Sequence, residues 1–202
     1  MTKQSFWEWF DNNKNSIEDF ISSEHSDYSI YETLSDKLKQ YSEFLIPELT
    51  MTKDNKFVLV ISCDGIKKGI PFAEELVKNM RPIENWIIMA FRQPGAMECI
   101  PVNGLNLKRN NIFLQWQKSS SQKYFLTFYV KGFSPHDPNY EIGTLLHMDH
   151  TIGEFNAMTK IEGVEIIKLG LFQSKKGLKT LDELKSELDD NSPNIRIGNS
   201  WA

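Results

Sequence analysis

The chain opens with apolar residues at a helical interval. Phe6, Phe10, Ile17, Phe20 and Ile21 recur on one side of a ~3.6-residue repeat, and Ser5 followed by Glu8 has the spacing of a capping box. This spacing predicts a first helix over 5–22. Ser26 or Asp27 can accept the first free amides of a second helix. Its stripe of Ile30, Leu34, Leu38, Tyr41 and Leu45 runs until Pro47 removes a donor and stops it. Residues 1–50 are therefore expected to form a helical hairpin.

Beyond residue 50 the pattern changes to short apolar runs. Phe57–Ile61 is continuous and rich in branched residues, as in a strand covered on both faces and central in its sheet. Gly65 and Gly69 break the run, and Pro71 suits the first turn of a helix that faces Phe72, Leu76 and Val77 inward before Pro82 closes it. Trp86–Phe91 reads as the next strand. A loop over Gln93–Leu107 follows, punctuated by Pro94-Gly95, Pro101 and Asn103-Gly104, with Met97–Ile100 as a short edge strand.

Ile112–Trp116 and Tyr124–Val130 flank a polar loop of hairpin length. Tyr140–Ile152 is helical in pattern, and Gly153 is placed to take the left-handed conformation that ends helices. Val164–Leu169 supplies the last strand. Thr180 with Glu183 forms a second capping box, ahead of Leu181, Leu184 and Leu188 on one helix face. The order implies an α+β fold, a mostly antiparallel sheet with loosely ferredoxin-like βαβ-ββ-αβ order behind the N-terminal helical hairpin. The expected organisation is one domain over 1–202, with a core over 51–190 and a polar tail over 191–202 that includes Trp201.

Composition narrows the class. With 202 residues, 40% of them hydrophobic and 25% charged, the chain has an ordinary globular make-up, not that of a disordered, collagen-like or disulfide-stapled chain. No apolar run approaches the ~20 residues that cross a bilayer, and the N-terminus lacks the apolar stretch of a secretory signal. A cytoplasmic location is the expectation. Only Cys63 and Cys99 occur, without paired Cys-x-x-Cys spacing, and they read as buried structural thiols.

Charge is uneven. Residues 1–55 carry five lysines against eleven acidic residues, net −6, while the whole chain is −4. An acidic surface repels phosphates, so nucleic acid and anionic membranes are poor partners and a basic protein is a better one.

Three constellations offer chemistry. At 100° per residue His147, His150 and Glu154 fall within about 60° of one another, so one helix face can present two imidazoles and a carboxylate to a divalent metal. Against this, Ile142, Leu145, Met148, Ile152 and Phe155 occupy the opposite arc, which makes the imidazole face the water-facing side of an amphipathic helix. A catalytic metal would also need His136 or Asp137 from the preceding loop. Asp149 lies at the edge of the apolar arc, where a half-buried carboxylate requires a partner, so its expected role is structural.

The second constellation is the turn after the first strand, where no local signature places any of the histidines His25, His136, His147 or His150 to activate Cys63. Gly65-Ile66-Lys67-Lys68-Gly69 lacks the Walker pattern, because Ile70 and Pro71 follow Gly69. The third is the run Phe6-Trp7-Glu8-Trp9-Phe10, whose four aromatics span about 160° of a helix, more than one packing surface covers. Trp7 and Trp9 are accordingly candidates for contact with a partner or a second subunit, beside the alternative of packing on the sheet.

The aromatic opener Phe6–Phe10, the strand ending in Asp64-Gly65 and the segment Asp149-His150-Thr151-Ile152-Gly153-Glu154 together resemble a group of uncharacterised bacterial proteins carrying a domain of unknown function. The resemblance implies a bacterial origin and no reaction. With no catalytic set apparent, the sequence points first to a non-enzymatic protein-interaction module, immunity-like or regulatory, that needs no cofactor and binds a protein partner or forms a homodimer. The alternatives are a metal-assisted hydrolase using His147, His150 and Glu154, and a small-molecule binding module using the Gln93–Leu107 loop.

Overall fold

A computed structural model describes residues 1–23, 27–78, 80–95, 97–170 and 174–190. Ser26 as a helix cap, His25 and the polar tail over 191–202 lie outside the described residues. The fold is α+β, with two helices preceding the strands and the strands divided among three small sheets. The chain groups into two compact units, parted after Arg92. No described helix is long and apolar enough to cross a membrane.

The first unit runs α1 (Lys3–Ser22), α2 (Ser29–Tyr41), β1 (Ile46–Met51), β2 (Phe57–Ser62), α3 (Ile70–Val77) and β3 (Trp86–Ala90). The predicted stripe of α1 is the buried one: Phe6, Phe10, Ile17, Phe20 and Ile21. Its cap lies earlier than predicted, because Thr2 accepts the Ser5 amide and the Thr2 amide donates to Ser5 Oγ. Asp27 accepts the Ser29 amide at 2.9 Å at the start of α2.

That helix ends at Tyr41, well before Pro47, and the missed strand β1 begins at Ile46. Pro47 is tolerated there because β1 is an edge strand. β2 is central, antiparallel to β1 and parallel to β3. β2 and β3 are direct neighbours, whereas a ferredoxin-like split would place a strand between them. Phe72 of α3 is 39% exposed, not inward as its spacing suggested, while Ala73 and Leu76 fill the buried face.

The second unit runs β4 (Cys99–Val102), β5 (Leu105–Lys108), β6 (Ile112–Lys118), β7 (Tyr124–Val130), α4 (Pro138–Ile152), α5 (Glu154–Lys160), β8 (Ile161–Lys168) and α6 (Leu181–Asp190). Its main sheet has the order β6-β7-β8, antiparallel within the hairpin and parallel between β7 and β8, since α4 and α5 carry the chain back across. Leu114, Leu126, Phe128 and Val130 on one face of this sheet meet Met148, Ile152, Leu181, Leu184 and Leu188 of the helices.

Most of the expected Gln93–Leu107 loop is instead a β4–β5 hairpin. Asn103 (φ 45°) and Gly104 (φ 89°) form its two-residue turn, where successive positive φ values favour this Asn-Gly pair. Gly153 (φ 79°, ψ 151°) ends α4 as predicted but takes an extended ψ that only glycine adopts readily, so α5 starts at once in a new direction.

Candidate functional site

Helix α4 does not present its imidazoles to water as its apolar residues suggested. Its buried residues are Gly143, Thr144, His147, Met148, Thr151 and Ile152, whereas Ile142 is 43% exposed and Leu145 only half-buried. The physical reason is close approach. A Cβ on Gly143 would stand 3.1 Å from Leu107 Cδ2, so the helix touches the β4–β5 hairpin along small residues. The threonines bury at low cost because their hydroxyls donate to carbonyls one turn back, Thr144 to Tyr140 and Thr151 to His147.

His147 is 0% exposed, and its Nε2–H donates to the Leu107 carbonyl at 2.9 Å. Its buried Nδ1 meets no hydrogen-bond partner among the described residues. Burial pushes the imidazole pKa down; the Leu107 bond opposes this, the positive Arg109 and neighbouring His150 reinforce it, and Glu98 counters them. The ring is therefore neutral at neutral pH and ties the helix to the hairpin.

His150 is half-buried, and its carbonyl accepts the Gly95 amide at 2.6 Å. Glu154 is 1% exposed at the start of α5, past the turn at Gly153. Among the described residues no three His, Cys, Asp or Glu side chains gather in a metal-holding arrangement. The predicted trio thus shares a stretch of chain without converging on a centre. Asp149, at the edge of the arc, is half-buried rather than buried.

Beside His147, Arg109 Nη1 donates to Thr151 Oγ1 at 2.7 Å and Nη2 to Asp182 Oδ1 at 2.6 Å, linking α4 and α6 to the turn after β5. No local spacing marks this bracket, because its members are far apart in sequence. The guanidinium is spent on bonds within the fold.

In the first unit both thiol and aromatic candidates are drawn into packing. Cys63 is buried and free of disulfide, and a Cβ on Gly69 would come within 2.8 Å of its Sγ, so backbone covers the sulfur. Cys99 is a half-buried free thiol in the other unit. Trp7 is half-buried, donates Nε1–H to the Leu76 carbonyl at 2.8 Å, and meets Phe6 and Phe10 edge to face. Trp9 is also half-buried.

What α1 and α2 do expose is charge. Glu8, Asp11, Asp19, Asp27, Glu32 and Asp36 all face solvent. Asp19 and Asp27 rim a shallow groove between the two helices with Phe20, Ile30 and Thr33 in its lining, and no lysine or arginine among the described residues lines it. Hydrogen bonding from Ser29 holds the Asp27 carboxyl below its usual range, so it is ionised at neutral pH. No model of a known protein family matches the chain, and neither does any curated protein.

Proposed function

We propose that the protein acts as a non-enzymatic interaction module, regulatory or immunity-like, that holds a basic protein partner on the acidic surface of α1 and α2. The observation that carries this reading is the exposure of five carboxylates on two adjoining helices and of Asp27 just ahead of α2, beside a groove whose lining joins Phe20 and Ile30 to Asp19 and Asp27. A lysine or arginine side chain matches such a groove, its stem against the apolar lining and its head at the carboxylates. Two such faces repel each other, which favours a basic partner over a second copy. The inward engagement of Trp7 moves the weight of the reading from the aromatic opener to the carboxylates.

The test is capture from the source cell at physiological salt, comparing the natural chain with Asp19→Asn/Glu32→Gln/Asp36→Asn. These side chains are exposed, so the variant should melt as the natural chain does. A basic protein retained by the first and lost by the second supports the proposal, and its retention should weaken as salt rises. Equal retention by both, or repeated recovery of the chain alone, overturns it.

A further inference from the structure

Among the described residues three exposed asparagines take a positive φ: Asn55 (59°), Asn85 (65°) and Asn103 (45°). An asparagine Cγ lies within reach of the backbone nitrogen that follows it, and the two can close a five-membered ring. The attacking form is that nitrogen after loss of its proton, so a hydrogen bond from the N–H and a side chain beside it both oppose the reaction. At two of the three positions the nitrogen is engaged. Lys56 N–H donates to Thr52 Oγ1 at 3.0 Å, and Trp86 N–H to the Ile83 carbonyl at 3.2 Å. Asn103 differs. It is followed by Gly104, whose N–H meets no acceptor among the described residues, because the hairpin ladder closes at Val102 and Leu105 and leaves the turn outside it. A Cβ built on Gly104 would meet nothing within 4 Å, so water and hydroxide reach this nitrogen freely.

We propose that Asn103 is a site of spontaneous deamidation, and that its isoaspartyl product loosens the β4–β5 hairpin from α4. The Gly104 nitrogen gives its proton to hydroxide and attacks Asn103 Cγ. A C–N bond forms, the Cγ–Nδ2 bond breaks, and Nδ2 leaves as ammonia with a proton taken back from water. One water then opens the resulting succinimide: at Cγ to give aspartate, or at the main-chain carbonyl to give isoaspartate. Nothing is oxidised or reduced. Either product loses the bond from Asn103 Nδ2 to Asn139 Oδ1, 3.1 Å long, which joins the turn to the first turn of α4. An aspartate carboxylate is tolerated beside a helix N-terminus. Isoaspartate also puts an extra carbon into the main chain of a two-residue turn, which shifts the register of Val102 and Leu105. Val102 and Leu107 are the residues that close on Gly143 of α4, with Val102 Cγ2 at 3.7 Å and Leu107 Cδ2 at 3.1 Å from a Cβ built there. That contact cannot absorb a shift.

The test is incubation of the folded full chain at 37 °C, at pH 6 and at pH 9, with peptide mapping by mass spectrometry to follow replacement of NH by O at each asparagine. The same chain unfolded in guanidinium chloride sets the clock. Conversion at Asn103 should run at least about tenfold faster than at Asn55 or Asn85, and at least about tenfold faster at pH 9 than at pH 6, because the nucleophile is the deprotonated nitrogen. Two products of equal mass should separate by chromatography. In the isoaspartyl fraction the backbone amides of Val102 and Leu107 should exchange with deuterium faster than in the unconverted chain. The proposal is overturned if Asn103 stays intact in the folded chain while half of the unfolded chain has converted there. Conversion at Asn55 or Asn85 as fast as at Asn103 overturns it too, as does unchanged exchange at both amides in the isoaspartyl fraction.

Discussion

His147 and Leu107 are joined by a single buried hydrogen bond, Nε2–H to carbonyl at 2.9 Å, across the contact between α4 and the β4–β5 hairpin. The imidazole gives one proton to the backbone and keeps the Nδ1 lone pair dry. A ring so placed is held neutral, because charging it would put a cation in the interior beside Arg109.

The sign of the pH dependence follows. The folded pKa of His147 lies below its ordinary value of 6.5, so below pH 6.5 the unfolded chain takes up a proton that the folded chain resists. Its contribution to stability is full above that pH and declines as pH falls toward the folded pKa, by at most about 1.4 kcal/mol per pH unit. Urea unfolding between pH 8 and 5 should show this loss in the natural chain and a shallower one in His147→Gln. The variant should also be about 1–3 kcal/mol less stable at pH 8, where a buried bond has been replaced imperfectly. Equal pH slopes in the two proteins would show that His147 does not titrate as argued.

Trp7 yields a second prediction. Its Nε1–H bond to the Leu76 carbonyl ties α1 to α3. Trp7→Phe keeps the ring contacts with Phe6 and Phe10 and removes the donor, so the first unit should lose about 0.5–1.5 kcal/mol. Capture of a basic partner should be unchanged. A variant that melts normally yet fails to capture the partner would return the tryptophan to the interface.

How far the sequence carried depends on which signal each element gave. Helix α1 was legible because its core residues sit at a helical period and no other element competes for them. β2 was legible because a continuous branched run has few other uses. Strand β1 was hidden by Pro47, a residue that stops helices but also sits on sheet edges. The β4–β5 hairpin was hidden because its two strands, Cys99–Val102 and Leu105–Lys108, have four residues each, too few for a clear period, although Asn103-Gly104 marked its turn.

Helix α4 misled for a different reason. Met148 and Ile152 of its apolar arc are buried, but Ile142 and Leu145 are not, because close packing of Gly143 on Leu107 turns Gly143, Thr144 and Thr151 inward, residues that satisfy their own hydroxyls or have none. The acidic surface of α1 and α2 was plain from the charge count. The Arg109 bracket, joining positions 109, 151 and 182, needed the tertiary fold.

The α4 contact can be tested directly. A Cβ on Gly143 is already tight against Leu107, so a branched side chain there must push the hairpin away from the helix. Gly143→Val should cost about 1–3 kcal/mol by overpacking, and backbone amides of Ile100 and Leu107 should exchange faster with deuterium. Unaltered exchange at those amides would mean that the hairpin does not depend on this approach.

The last helix offers a test of local chemistry against packing. Glu183 Oε2 accepts the Thr180 amide at 2.8 Å, and Thr180 Oγ1 accepts the Glu183 amide at 3.3 Å, completing the reciprocal cap predicted from their spacing. The Thr180 amide, with the ammonium of Lys179, holds the Glu183 carboxyl below its ordinary 4.5. Its stabilising share is therefore present above that pH and fades as pH drops through the lowered value. Thr180→Ala should cost about 0.5–2 kcal/mol, as loss of a helix cap does. Leu184→Ala, one turn on and fully buried against the sheet, should cost about 2–5 kcal/mol. If urea unfolding ranks the two in reverse, α6 is held by its cap rather than by the leucines it lays on β6 and β7.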